Sequence, residues 1–473
     1  MQTASLTTSP ASVPQAAEPI DIVILANGPG EVATWVKPVV QALRSKIANA
    51  KIANAKTAEA EGTVEGAVER AIGNADLAES NPSYRISVIL SPCPHASGKE
   101  PLILSRYPEV DRVQSAPHFF KFLLTGATAD QWDWHSKGVV VFLGGDQLYT
   151  VLVAKRLGYR SVTYAEWDAR WPQWIDHFGV MKDTLIRTAP SAHRHKFTHV
   201  GDLMADVQTT ADRDAIFQTL GYAPTNDLIG FLPGSKPAKL NVGVPMMLAI
   251  AQILHRHQPN AQYVAGVAPN LTLADLMGYA DPEQNRAAPL FNPPDAKLVE
   301  PDDALPYIQI ENGPKIVLWQ TFPALDLFSQ CKLCFTTVGA NTAQLGALAI
   351  PMIVLLPTQN LGALQLADGW PGLVSRLPGI GSLVRKVINP LIIRALQKAN
   401  KRFAWPNIWA KREVVPELFG HVTADDVCAI ALDYLTHPEK LNTVRQTLRD
   451  LRGPAGAAEK MADIILKTAH HPK

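Results

Sequence analysis

The sequence predicts an α/β protein built from two tandem parallel sheets, and three observations carry that expectation. Residues 334–357, CFTTVGANTAQLGALAIPMIVLLP, open apolar, break at Val338-Gly339-Ala340-Asn341, resume as a helical pattern over 342–348 and end in a β-rich run over 350–356. Strand, loop, helix and buried strand in that order make the βαβ unit of a parallel sheet, whose loop lies at the strand's carboxyl end where ligands bind. The same pattern opens the chain, with IDIVILA at 20–26 and the turn Asn27-Gly28-Pro29-Gly30-Glu31 after it. It restarts after the linker-like GYAPT at 221–225, with a strand over 228–232 and the turn Pro233-Gly234-Ser235-Lys236. A chain of 473 residues is long for one core, so two such domains are the natural reading.

Composition narrows the function classes. The content of 47% hydrophobic and 18% charged residues is that of a soluble globular protein, and a net charge of +1 supplies no field for nucleic acid. Four cysteines make no disulfide framework and fit a reducing interior. Cys331-x-x-Cys334 abuts a buried strand and reads as core packing rather than a metal or redox pair. No run reaches the ~18 apolar residues of a spanning helix. Residues 1–19 lack a basic start and an apolar stretch, so they are expected to be a disordered leader and not a secretory signal, which leaves the protein cytoplasmic.

Along the first domain, expected over 20–222, Gly28 and Gly30 suit either a tight structural turn or a nucleotide loop, since the full GxGxxG spacing is missing. Thr34 is placed as the cap of a helix carrying Val36, Val39, Val40 and Leu43 at helical spacing. The Ala-rich tract 46–83, with its near-repeat KIANAKIANAK, reads as a solvated helical insertion or loop. An aromatic run at 118–124 beside Lys121 belongs to the core or faces a lipid. The strand GVVVFL at 138–143 sets Gly144-Gly145-Asp146 at its carboxyl end, where Asp146 can cap the next helix, look into the ligand site, or both. Further strands are expected over 86–90, 161–165, 177–181 and 197–200. His193, His195 and His199 are expected to be exposed, and no metal site is predicted.

In the second domain, expected over 223–440, the turn Pro233 to Lys236 supplies backbone N–H groups, a hydroxyl and a cation suited to a diphosphate, although it is no Walker motif. Residues 269–313 read as an irregular excursion. Segment 369–412 contains no Asp or Glu and nine Lys or Arg among Leu, Ile, Val and Trp. That is a membrane-surface element attracted to anionic lipid, or a core helix pair with a basic outer face. Two amphipathic helices over 441–473 are expected to pack back on the first domain.

Two tandem Rossmann-like halves, each with a ligand-facing loop after its first strand, suggest the GT-B fold of nucleotide-sugar glycosyltransferases, in which the domains face a cleft. The motifs point further: over most of residues 20–440 the chain resembles lipid-A-disaccharide synthase, which joins a UDP-linked diacylglucosamine to an acylated sugar phosphate and releases UDP. It looks most like the divergent relatives of that family found in oxygenic phototrophs. Gly30-Glu31 is similar to the family's first-loop Gly-Glu, and Gly145-Asp146 falls where the family has a catalytic aspartate. Gly201-Asp202-Leu203-Met204-Ala205-Asp206 resembles its Gly-His-x-x-Ala-Asp, and Leu232 to Lys236 its Leu-Pro-Gly-Ser-Arg. Gly339 to Gln344 resembles its Ser-Gly-Thr-Ala-Thr-Leu-Glu loop. Trp405-Pro406-Asn407 and Pro416-Glu417-Leu418 look like its Pro-Asn and Pro-Glu-Leu. The chain departs from the pattern at Val32-Ala33-Thr34 (Ser-Gly-Asp in the family), at Gln344 (Glu) and at Lys236 (Arg). The last change gives up bidentate phosphate geometry.

The resemblance implies an inverting transferase with Asp146 as the base and Glu31 in reserve. Gly28, Gly30, Gly234, Ser235, Lys236, Gly339, Asn341, Thr342, Gln344, Asn407 and Glu417 would hold the nucleotide sugar. It implies no cofactor beyond a UDP-sugar co-substrate, a lipid or acylated-sugar acceptor, an anionic membrane surface on the cytoplasmic side, no nucleic acid, and a homodimer as an option. A nucleotide-sugar epimerase and a non-catalytic GT-B-like lipid- or nucleotide-binding protein are the alternatives, the latter kept open by Gln344 and Val32-Ala33-Thr34.

Overall fold

The computed structural model describes residues 18–61, 83–93, 96, 98–207, 209, 212–269, 271–359 and 402–470. Most of the expected leader (1–17), the centre of the Ala-rich tract (62–82) and most of the basic segment (369–401) lie outside the described residues. The chain divides into two compact units: 1–96 with 100–203 and 456–473, and 97–99 with 204–455.

The first unit is one seven-stranded sheet of β1 (Ile20–Ala26), β2 (Tyr84–Leu90), β3 (Arg112–Gln114), β4 (Lys137–Phe142), β5 (Arg160–Ala165), β6 (His177–Val180) and β7 (Phe197–His199). The order is β3-β2-β1-β4-β5-β6-β7, and every pairing is parallel. β1 is apolar at every position but Asp21 because a parallel sheet is covered on both faces, and all of its residues are buried. They include Asp21, whose carboxylate accepts from Arg85 Nε, Tyr159 Oη and His135 N, each at 2.8 Å. A charge survives in that position only because it is paired and hydrogen-bonded. Three-residue β3 is too short to show a period in the sequence.

The first helical turn begins at Pro29 with Gly28 as its cap residue, so Thr34 is not a cap. It lies inside a π-helical turn, Val32–Val36, and its hydroxyl donates to Gly30 O at 2.9 Å. A regular helix, Lys37–Glu61, follows. The last helix, Ala457–His470, packs on it and on β4, β5 and β6, with Lys46 Nζ 3.0 Å from Glu459 and 2.9 Å from Asp463. The other C-terminal helix, Pro438–Arg452, sits in the second unit, where Val444 and Leu448 join the core.

The second unit carries β8 (Leu228–Leu232), β9 (Gln262–Gly266), β10 (Ala296–Val299), β11 (Tyr307–Ile310), β12 (Lys315–Trp319), β13 (Leu333–Thr337), β14 (Met352–Pro357) and β15 (Glu417–Gly420). Their order is β10-β11-β12-β9-β8-β13-β14-β15, parallel from β12 to β15 with an antiparallel edge at β10 and β11. Residues 269–313 are therefore more regular than expected. Thr272 and Asp275 form a capping box for the helix Leu273–Gly278, and β10 and β11 extend the sheet to an antiparallel edge. The Pro and Asp residues that suggested irregularity serve caps and turns. The helix Arg213–Leu220 belongs to this unit too, because Ile216, Phe217 and Leu220 pack against Leu228 and Leu232, which moves the boundary from the expected 222 to 203/204.

Cys331 and Cys334 are buried behind β8, their sulfurs 2.9 and 2.7 Å from where a Cβ on Gly230 would stand, and burial pushes the Cys334 thiol well above its ordinary range. Among the described residues one helix, Pro237–His257, is long and apolar enough to cross a membrane, yet 67% of its most apolar stretch is buried in this unit. It is the central core helix. Gly243 in that helix lies against the loop after β8, and a Cβ there would overlap the carbonyl of Pro233. Gly243→Ala is accordingly expected to destabilise the protein by about 1–3 kcal/mol and to displace the Pro233 to Lys236 turn, read out as a lower Tm.

Candidate functional site

In an open parallel sheet the ligand crevice forms where the strand order reverses, outside the carboxyl ends of the two strands that diverge. In the first unit that point lies between β1 and β4, whose ends are tied by Leu143 N donating to Leu25 O at 2.8 Å. It brings together the turn after β1 and Gly144-Gly145-Asp146. A Cβ on Gly144 would stand 2.8 Å from Asn27 Oδ1 and 3.3 Å from Glu31 Cγ, and one on Gly145 would stand 2.6 Å from Ser91 Oγ. Glu31 is half-buried and folds its carboxylate over Gly28, whose N–H donates to Asn27 Oδ1 at 2.7 Å. Gly30 opens the helical turn with nothing packed on its Cα. Asp146 is exposed and caps the helix Gln147–Leu157, its Oδ1 accepting from Leu148 N at 2.9 Å, while no hydrogen bond is made by Oδ2 among the described residues. One oxygen thus fixes the side chain and leaves the other able to accept a proton. Asn27 and Ser91, absent from the sequence-based set, complete this corner.

In the second unit the order reverses between β8 and β13. The turn Pro233 to Lys236 leads into Pro237–His257, with Lys236 as the cap residue and Pro237 at the first position. Ser235 and Lys236 are exposed. Gly339 caps the helix Ala340–Ala347 with φ of 145°, a left-handed conformation that side-chain-bearing residues rarely adopt. Two helix N-termini therefore open at the same point of the sheet, a disposition that favours an anion. Asn341 and Gln344 are half-buried, and neither side chain hydrogen-bonds another described residue. Lys239, which the sequence reading did not single out, places its ammonium against Gly339.

Three other residues expected at the nucleotide are engaged inside the unit. Thr342 is buried, its hydroxyl donating to Gly339 O at 2.8 Å and accepting from Trp405 N at 3.2 Å. Asn407 is buried and makes four hydrogen bonds, to Val414 N, Val415 N, Val415 O and Glu417. Glu417 also accepts from Phe403 N and Ala404 N at 2.9 and 2.8 Å. These side chains shape the loop beside Gly339 rather than present polar atoms outward. His193, His195 and His199 stay apart from any such corner: His199 pairs with Asp183 at 3.3 Å, and among the described residues no three His, Cys, Asp or Glu converge as a metal set.

No family model matches the chain. Its curated relatives are lipid-A-disaccharide synthases: 23% identity over 273 residues to that of Geobacter sulfurreducens, covering 57% of this chain and 56% of the relative. To the synthase of a Sulfurihydrogenibium species the identity is 22% over 354 residues, covering 69% and 76%. The chain thus spans little more than half the length of the Geobacter enzyme. Among solved structures, a Listeria monocytogenes protein assigned as a UDP-N-acetylglucosamine 2-epimerase superposes with a TM-score of 0.51 at 12% identity, covering 97% of this chain and 99% of the other. That likeness speaks for the fold alone. With its two parallel sheets the protein has a GT-B-like α/β fold and is glycosyltransferase-like. The chain is a divergent relative of the lipid-A-disaccharide synthase family.

Proposed function

We propose that the protein is an inverting glycosyltransferase that moves a hexose from a UDP-sugar to a lipid or acylated-sugar acceptor on the cytoplasmic face of a membrane. The observation that carries this reading is the paired-loop corner of the second unit, where two helix N-termini and two lysines meet at the ends of β8 and β13. Such a corner is made for a diphosphate. Asn341 and Gln344, without hydrogen-bond partners among the described residues, are available to the sugar or ribose hydroxyls. In the first unit Asp146 Oδ2 takes the proton of the acceptor hydroxyl as its oxygen attacks the anomeric carbon. The bond from that carbon to the diphosphate oxygen breaks, and UDP leaves with the electron pair, its charge met by backbone N–H groups and Lys236.

The acceptor side is supported by exposed apolar residues of the first unit. Phe120 and Leu124 are 51% and 76% exposed, beside Lys121, and Arg156 donates to the backbone carbonyl of Leu124 at 2.7 Å. Apolar side chains rimmed by cations suit an anionic lipid surface, and the basic stretch 369–412 would add to that attraction.

Thermal unfolding with UDP, UDP-GlcNAc, GDP and ADP tests the donor side. A ligand at one hundred times its Kd stabilises the folded state by about 2.7 kcal/mol, so UDP and UDP-GlcNAc are expected to raise Tm clearly and the other two little. Release of UDP in the presence of anionic-lipid vesicles and acylated sugars then tests transfer. No shift with any nucleotide turns the reading to a non-catalytic binding protein. Conversion of UDP-GlcNAc to its epimer without transfer turns it to an epimerase.

A further inference from the structure

We propose that Lys239 is a second cation for the diphosphate, acting with Lys236 as a two-lysine clamp that selects a nucleoside diphosphate over a monophosphate. The inference rests on the reading of the second unit as the nucleotide domain, and adds to it a residue outside the loop motif. Lys239 lies one turn into Pro237–His257, its backbone N donating to Lys236 O at 2.9 Å. Its Cβ is 2.6 Å from where a Cβ on Gly234 would stand, and its ammonium abuts Gly339 at the start of Ala340–Ala347. The side chain therefore bridges the loops after β8 and β13.

Among the described residues that charge is uncompensated. The side chain is half-buried, and among the described residues no carboxylate pairs with it. Burial, and then the nearby Lys236 charge, hold the amine below the usual lysine range. A cation at the positive end of a helix is unfavourable unless an anion lies between them. A second, independent feature points the same way. Thr337, at the end of β13, is 6% exposed, and its hydroxyl has no hydrogen-bond partner among the described residues although it lies 3.5 Å from the Gly234 Cβ position. Buried hydroxyls are ordinarily satisfied, and an orphan one at a cationic corner is explained by an acceptor that arrives with a ligand. A diphosphate supplies the acceptor oxygens and two anionic groups for the two lysines, where a monophosphate supplies one.

The test is calorimetric titration of the full chain and its Lys239→Met and Lys236→Met variants with UDP and with UMP, with Tm recorded for each protein. The wild type is expected to bind UDP at least about tenfold more tightly than UMP, as one charge-assisted contact is commonly enough to do. Lys239→Met should lower UDP affinity about 10- to 100-fold, leave UMP within about threefold, and leave Tm unchanged or raised, because an unpaired desolvated cation has been removed. Equal UDP affinity in Lys239→Met and wild type overturns the proposal, as does a wild type that fails to prefer UDP or binds neither nucleotide. If UDP binding depends on Lys239 while no sugar acceptor is ever glycosylated, the transferase reading fails and the clamp stands. If transfer proceeds in Lys239→Met with unchanged KM for the donor, the clamp fails and the transferase reading stands.

Discussion

Asp146→Asn is expected to lower turnover about 10²- to 10⁴-fold, the usual contribution of a positioned general base, while leaving folding and UDP affinity essentially as they are. The carboxylate has two separable roles. Its Oδ1 caps the helix Gln147–Leu157 through Leu148 N at 2.9 Å, and asparagine caps a helix about as well as aspartate, so stability is spared. The proposed nucleotide corner is built from second-unit residues and does not use Asp146, so UDP binding is expected to be spared too. What asparagine cannot do is accept a proton at the second position, because an amide nitrogen is not basic. Steady-state UDP release, calorimetric UDP affinity and Tm separate these effects. Normal turnover in Asp146→Asn would move the base to Glu31, which packs against the neighbouring Gly144 in the same corner, and Glu31→Gln would then carry the loss.

Why these residues could be picked out from sequence, and Lys239 could not, follows from what a sequence encodes locally. β1, β8 and β13 are runs of buried apolar residues ended by glycine-containing turns, and both signals sit within a few residues. Once the strands are in place, parallel topology dictates that the turns lie at their carboxyl ends, so the placement of Gly28 to Glu31, Asp146, Gly234 to Lys236 and Gly339 at those ends was legible. Lys239 carries no local signal that sets it apart from the other lysines of the sequence. Its position against Gly339 comes from a strand roughly a hundred residues away and only after β8 and β13 pair. The short strands β10, β11 and β15 were missed for a related reason, since four residues are too few to establish a period in the sequence. Asn407 and Glu417 are the opposite case. Their motif was visible, but whether an amide faces a ligand or the backbone of its own loop is decided by packing.

That distinction makes Asn407→Ala the most destructive substitution expected in the second unit. Asn407 is 1% exposed; its Oδ1 accepts from Val414 N at 2.7 Å and Val415 N at 3.0 Å, and its Nδ2 donates to Val415 O at 2.8 Å and Glu417 Oε1 at 2.7 Å. Alanine leaves two buried backbone N–H groups without acceptors, each worth about 1–3 kcal/mol, and takes a donor from the Glu417 carboxylate as well. Allowing for some relaxation, a loss of about 2–5 kcal/mol in urea unfolding is expected. Asn407→Asp is expected to be no milder, because it sets a second carboxylate oxygen against Glu417 and the Val415 carbonyl. Protonating that pair restores a donor, so the aspartate variant should regain part of its deficit as the pH falls, which alanine cannot do. UDP affinity should decline too, but secondarily: the loop held by Asn407 and Glu417 carries Trp405, whose N–H donates to the Thr342 hydroxyl that holds Gly339 O. Were Asn407 instead a direct nucleotide ligand, its alanine variant would lose UDP binding with stability within about 0.5 kcal/mol of wild type. The unfolding midpoint therefore decides between scaffold and ligand, since only a scaffold residue takes stability with it.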